Sequence, residues 1–374
     1  MNQLTFANIS RIIERENKST TYKFALLRSA IDIIQENSPY ILLKGDVAEI
    51  PLGLMIEKWL IYYYPILESN LKIPQINGST GKIAFHDQLV RITEHYQNKG
   101  GLSVFYNDLR SNGFDSEIVD SFITLAKQLK ETITKMPMRY IGGSLNQGEY
   151  AIFKYFRNAK IKYAGKANLN WLIENFGTFS MPIEYYEAFK ILGSFISGTD
   201  NILFKWAEFS VKASGREVTT ERAIHEILKS PITERDILIS KGLYRNMLAN
   251  LGEVFCVWTG KSLQNYDVDH VLPFAIYKNN DLWNLLPAKP SINNQKRDKI
   301  PSEDTLLKSK ELIIYYWKQL YKQHNCSFLE QLQVSLLGHR KTSNWENEAF
   351  VQLINTSKYL IDTRGYSKWE LVND

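Results

Sequence analysis

Over residues 1–240 the apolar side chains return every third or fourth position and seldom every second, which commits this length of chain to amphipathic helices. In Tyr22–Ile34, Phe24, Leu27, Ile31 and Ile34 share one face, with Ser19, Thr20 and Thr21 ahead of them as N-cap candidates. Leu54–Tyr64 reads as a second helix, carrying Trp59, Tyr62 and Tyr63 and stopped by Pro65. Phe114–Lys135 follows Asn112-Gly113, with Ile118, Phe122, Leu125 and Leu129 in register; Phe204–Val211 and Thr220–Leu228 continue the pattern. Turn-rich breaks at Asn77–Gly81, Asn98–Gly101, Ile141–Gly148 and Ser197–Asn201 separate the helices. One segment departs from the rule: Ala151–Tyr163 places Phe153, Tyr155, Ile161 and Tyr163 at odd positions and reads as strand. Near the C-terminus, Leu306–Tyr321 and Trp345–Tyr359 again read as helices, while the closing GYSKWELVND carries no decisive pattern.

At 374 residues the chain exceeds the length of one ordinary domain. The expected layout is a mainly helical recognition or partner-binding region over 1–240, a compact module over 241–310 and a helical cap over 311–374. The fold class is α+β, predominantly helical. Apolar runs stop well short of the ~20 residues that cross a bilayer, and the opening MNQLTFANISRIIERENK has no cleavable apolar core. Cys256 and Cys326, seventy positions apart, build neither a disulfide scaffold nor a four-cysteine zinc site, so a reducing cytoplasm is expected. The net charge of +5 is mild, but Lys241–Lys310 holds ten basic and seven acidic residues, a positive focus suited to a polyanion.

That focus surrounds the stretch whose spacing implies chemistry, Cys256 to Ser302. Asp269-His270 is followed fourteen positions later by Asn284, nine later by Asn293 and three later by Lys296. Read locally, Val254–Trp258 and Val268–Leu272 are short strands, with a helix starting near Ser291, presenting Asn293, Asn294 and Lys296 on its first turn and stopped by Pro301-Ser302. A strand end then faces a helix N-terminus, which favours a metal ion and a phosphate. Trp258, Leu263, Phe274, Ile276, Trp283, Leu285 and Leu286 supply a core.

The stretch resembles the ββα-metal module of the HNH nuclease family, in the asparagine-type subclass. It is similar in particular to the HNH domain of RNA-guided CRISPR effectors, which share the opening seen here at Tyr266–His270. The resemblance implies phosphodiester hydrolysis, with His270 as general base because a neutral imidazole accepts a proton near pH 7. It implies Asp269, on the opposite face of the strand from His270, and Asn293 as metal ligands. These hard oxygen donors suit Mg2+ or Mn2+. Asn284 would bond loop backbone and fix the base's orientation; Lys296 would neutralise the scissile phosphate. Asp267, Asn294 and Arg297 are second-rank candidates. Many relatives brace this module with zinc on two CxxC pairs, but Thr259 stands at the second cysteine position after Cys256, so no structural zinc is expected.

Other features read more simply. Gly78–Lys82 lacks the first glycine of a phosphate loop, and Ile83 stands where Ser or Thr would bind magnesium. His86 and His95, nine apart, do not share a helix face, and the aromatic run Trp59–Tyr64 reads as core. Arg216, Arg222 and Arg235 either track a nucleic-acid backbone or are solvated. The expectation is a DNA endonuclease of bacterial restriction or phage defence, with DNA as partner, no membrane, and a defence-system ATPase or a second copy as protein partner. An RNA-directed HNH nuclease and a non-catalytic binding subunit of a larger defence complex stand as alternatives.

Overall fold

The structure, a computed structural model, describes all residues except 1–2, 16–18, 70–72, 77–81, 146–147, 159–165, 198–201, 228, 233–234 and 372–374. The turn at Asn77–Gly81, Ile161 and Tyr163 of the strand reading, and Leu228 therefore lie outside the described residues, as do parts of the breaks at Ile141–Gly148 and Ser197–Asn201. Two compact units emerge: residues 1–36 with 41–231, and residues 37–40 with 232–374.

The first unit runs α1 (Gln3–Arg15), α2 (Tyr22–Gln35), β1 (Leu42–Lys44), β2 (Val47–Pro51), α3 (Leu52–Glu68), α4 (His86–Tyr96), α5 (Gly101–Asn107), α6 (Val119–Lys135), α7 (Pro137–Tyr140), β3 (Lys154–Phe156), α8 (Leu169–Asn175), β4 (Thr178–Pro182), α9 (Ile183–Ser197), α10 (Ile202–Ala213) and α11 (Thr220–Ile227). Its centre is α3, buried at every position from Leu52 to Ile66, the signature of a helix enclosed on all sides. Trp59, Tyr63 and Tyr64 are fully buried, so the aromatic run is core. Pro65 does not stop α3; it lies inside the helix, which continues to Glu68, because its missing N–H and ring are tolerated near the end of an otherwise enclosed helix. The helix expected from Phe114 starts instead at Val119, after Gly113 at φ +75° and an Asp115 side chain that accepts the Glu117 N–H.

A four-stranded antiparallel sheet, ordered β1-β2-β4-β3, accompanies the helices. Ala48, Ile50, Phe179 and Met181 are buried on one face. Directly opposed residues share a face, so Leu42, Glu49, Ser180 and Lys154 form a row on the other, with Pro51, Thr178 and Phe156 beside it.

The second unit runs α12 (Leu238–Leu251), β5 (Val254–Phe255), β6 (Ser262–Leu263), β7 (Asp267–His270), α13 (Phe274–Tyr277), β8 (Leu285–Ala288), α14 (Pro290–Lys296), β9 (Ile300–Pro301), α15 (Glu303–Leu332), α16 (Trp345–Lys358) and β10 (Lys368–Trp369). The chain is thus α+β and predominantly helical. α15 is longer than the sequence periodicity suggests, with a kink at His324. It clamps the strands: Tyr316 Oη accepts the Phe255 N–H and donates to the Phe255 carbonyl, and Trp317 Nε1 donates to the Trp283 carbonyl. The C-terminal tail adds β10 parallel to β9, seating Trp369 edge-on against Trp258. No helix among the described residues is long and apolar enough to cross a membrane.

Candidate functional site

The site is built on the β7–β8 hairpin, where Asp267 opposes Ala288, Asp269 opposes Leu286 and His270 opposes Leu285. Strand alternation sends Asp267 and Asp269 to one face and His270 to the other. Pro290 opens α14, where its missing N–H costs nothing, and Arg297 at φ +52° ends it. The helix therefore starts at Pro290, so Asn293, its fourth residue, closes the first turn, while Lys296, its last, lies beyond it. Three residues apart, they share a side and meet the two carboxylates in register.

Asn293 Nδ2 donates to Asp267 Oδ2 at 3.0 Å, and Lys296 Nζ donates to Asp269 Oδ1 at 2.9 Å. Lys296 also donates to the His270 carbonyl, and Trp258 Nε1 donates to Asp269 Oδ2 at 2.8 Å. The sequence reading places Lys296 on the scissile phosphate. Its ammonium instead points into the module, with no exposed surface, because a buried Asp269 needs a counter-charge nearby. Burial pulls the Lys296 pKa down, against the opposing pull of Asp269. Asp267 and Asn293 are half-buried; Asn294 and Arg297 are exposed.

On the other face, His270 is 4 % exposed and packs against the Phe274 ring at 5.4 Å. Its Nε2 lies 3.0 Å from Asn280 Oδ1. With the amide oxygen accepting, Nε2 carries the hydrogen and Nδ1 keeps the lone pair. Burial lowers the His270 pKa below its usual value, Asn280 and Asp269 resist, and the charges of Arg235 and Lys296 push it further down. The ring is therefore neutral at pH 7, as a proton acceptor must be.

Asn284 has no exposed surface: its Oδ1 accepts the Leu272 N–H at 2.8 Å, and its Nδ2 donates to the carbonyls of Leu272 and Asn279. Those bonds pin the loop that carries Asn280. Sequence reasoning missed Asn280, whose only signal is its place in the Asn279-Asn280-Asp281 run. It also missed Asp281, which is 9 % exposed and accepts from Asn279, Trp283 and Ser335. Of the expected core, Trp258, Leu263, Phe274, Trp283, Leu285 and Leu286 are buried and Ile276 packs at its margin. Cys256 is buried and its Sγ accepts the Lys289 N–H.

Elsewhere among the described residues, His95, Asp115 and Glu117 converge in the first unit. Lys99 Nζ already lies within that group, 2.8 Å from His95 Nε2 and 3.7 Å from Asp115, so its carboxylates face a resident cation.

Comparison with known proteins bears on both halves. A family described as "Domain of unknown function (DUF8808)" matches residues 2–228, more than half of the chain. The chain belongs to the DUF8808 family. Within this family member, residues 256–302 match a second family, HNH endonuclease. That interval takes in the β7–β8 hairpin and α14. The CRISPR-associated endonuclease Cas9 of Listeria innocua is 30% identical over 116 residues, 29% of this chain and 8% of its own length. Cas9 of Streptococcus mutans is 31% identical over 124 residues, 32% of this chain and again 8% of its own. The chain thus spans under a tenth of the length of these curated relatives. This DUF8808 protein carries a C-terminal HNH-type nuclease domain similar to that of CRISPR effectors.

Proposed function

We propose that the protein is a metal-dependent HNH endonuclease that hydrolyses DNA phosphodiester bonds in bacterial restriction or phage defence. The observation that carries this reading is the four-residue strand Asp267–His270, which aims two carboxylates at Asn293 and Lys296 from one face and holds a neutral imidazole on the other. Asp269 and Asn293 are the proposed ligands of Mg2+ or Mn2+, with Asp267 as a further donor. The donor set fits: all are hard oxygens, and a carboxylate offers about four lone-pair sites, of which Trp258 and Lys296 take only two on Asp269. When bound, such an ion supplies charge stabilisation to the phosphoryl oxygens.

The remaining work falls to the chain itself. His270 takes the proton of the attacking water at Nδ1, Asn280 holds the ring by Nε2, and Asn284 fixes the loop that bears Asn280. Lys296 supplies the counter-charge to the buried Asp269 and holds it in place. The region 1–240 is assigned to recognition of the target or of a partner. Two unpaired cysteines, one buried and one exposed, suit a cytoplasmic setting. One module carries one site, so a monomer nicks and a dimer is needed to cut both strands together.

The test is supercoiled plasmid incubated with magnesium. Wild type should relax it, and His270→Ala should slow this by about 10²–10⁴-fold, the usual contribution of a general base. Equal rates for the two proteins would remove the catalytic assignment.

A further inference from the structure

The chain's entire net charge of +5 equals that of one stretch. From Tyr150 to Ile173 there are five cations, Lys154, Arg157, Lys160, Lys162 and Lys166, and no acidic residue. The stretch contains β3, an edge strand of the four-stranded sheet. On its outward face Phe156 is 51% exposed, and Lys154, two residues away and so on the same face, is exposed as well. Arg157 follows directly, also exposed. The outward face of β3 thus carries an open aromatic ring beside one cation, and a second cation stands just past the strand's end, near Tyr155 and Lys130. Lysine on an edge strand is a common guard against strand pairing; the open Phe156 ring beside it adds a flat face on which a base can stack.

We propose that this sheet edge, Lys154, Phe156 and Arg157, binds an unpaired polynucleotide strand, with Phe156 stacking on a base and the two cations holding flanking phosphates. Sequence-tolerant recognition of single strands combines these two elements, a cationic track and an open aromatic face. Neighbouring charge agrees. Glu49, in the same row as Lys154 across Ser180, is paired with Lys44 at 2.9 Å, so its charge is already engaged. Lys130 on α6 lies close enough to Arg157 for that charge, after burial, to lower its pKa, with Glu131 opposing. The exposed Glu174 offers its backbone carbonyl to Asn158. The inference rests on the nuclease reading for its biological sense, but not for its test.

Binding of short labelled oligonucleotides to the full chain is measured by fluorescence anisotropy in EDTA, where no cutting intervenes, as DNA single strand, RNA single strand and DNA duplex. Phe156→Ala should weaken binding to an unpaired strand by about 5–150-fold, the range of one base–aromatic stack, and Phe156→Tyr should restore it. Lys154→Gln with Arg157→Gln should lower the salt slope on a single strand by about 1.4, near 0.7 per lost phosphate contact. Preference for DNA or RNA names the strand; either supports the proposal. No binding by wild type, a preference for duplex that Phe156→Ala leaves unchanged, or variants that melt and bind like wild type would each overturn it. Loss of binding in these variants, together with equal plasmid relaxation by wild type and His270→Ala, would keep this surface and discard the nuclease reading.

Discussion

Lys296 is where a single residue decides most. Its ammonium, bonded to Asp269 and the His270 carbonyl and wholly enclosed, leaves a buried carboxylate unpaired when removed. Lys296→Met is therefore expected to destabilise the second unit by about 3–5 kcal/mol, the cost of breaking a buried pair, read as a lower urea midpoint. Asp269→Leu added to it should recover part of that loss, since both charges are then gone. A Lys296 that served only to contact phosphate would leave the midpoint where it was. The identities in this site were legible because Asp269-His270, Asn284, Asn293 and Lys296 fall at fixed spacings. Their orientations were only half legible. Period-two alternation separates Asp269 from His270, but which carboxylate meets which residue of α14 depends on where that helix starts. Pro290 sets that start one residue ahead of Ser291, where the local pattern puts it. Asn280 was invisible for a different reason: it acts by touching His270 ten residues away, and no local pattern encodes that contact.

Helices of the first unit were legible as elements and less so as boundaries. In α3 the apolar residues run all round, so periodicity gave no end, and burial carries the helix through Pro65 despite a local cost of about 3 kcal/mol for an interior proline. Strands were harder. β1, β2 and β4 are three to five residues long, too short for alternation to separate them from helical neighbours, and in this unit only Ala151–Tyr163, of which β3 is the described strand, reads as strand from its pattern. The packing of α3 against α8 is set sterically. A Cβ on Gly53 would stand 2.4 Å from the backbone of Leu172 and Ile173, so this glycine lets α8 lie directly on the first turn of α3. Gly53→Ala should force the two helices apart and cost about 1–3 kcal/mol, the usual range for overpacking. Thermal unfolding followed by circular dichroism should show the lower midpoint; an unchanged melt would mean the backbones separate freely.

At the level of the whole molecule the chain does not pass once from one unit to the next. It contributes residues 37–40 to the second unit, returns to the first at Ile41, and enters the second for good at Ile232. Nothing in the sequence marks that excursion, because four residues around Pro39 look like an ordinary inter-helix turn. Within the second unit the tetrapeptide is held specifically. Asn37 Nδ2 donates to Thr356 Oγ1 at 3.2 Å, Gln352 Nε2 donates to the Asn37 carbonyl at 3.4 Å, and Tyr40 meets His339 edge-on at 4.9 Å. Gly338 adopts φ +62°, and a Cβ there would fall 2.3 Å from the Pro39 carbonyl oxygen. Both the left-handed backbone and the close approach demand glycine, so Gly338→Ala should pry the tetrapeptide loose. Hydrogen exchange followed by mass spectrometry on the full chain reads this directly. Peptides covering 37–40 and 352–356 should lose protection, while peptides of β7 and β8 should keep theirs, because local opening need not spread to a core strand. Protection unchanged at 37–40 would show that the tetrapeptide is held by its own bonds to α16 and owes nothing to the turn at Gly338. Protection lost across β7 as well would show that the excursion supports the nuclease hairpin itself, and excising residues 232–374 alone would then remove part of what keeps the site in shape.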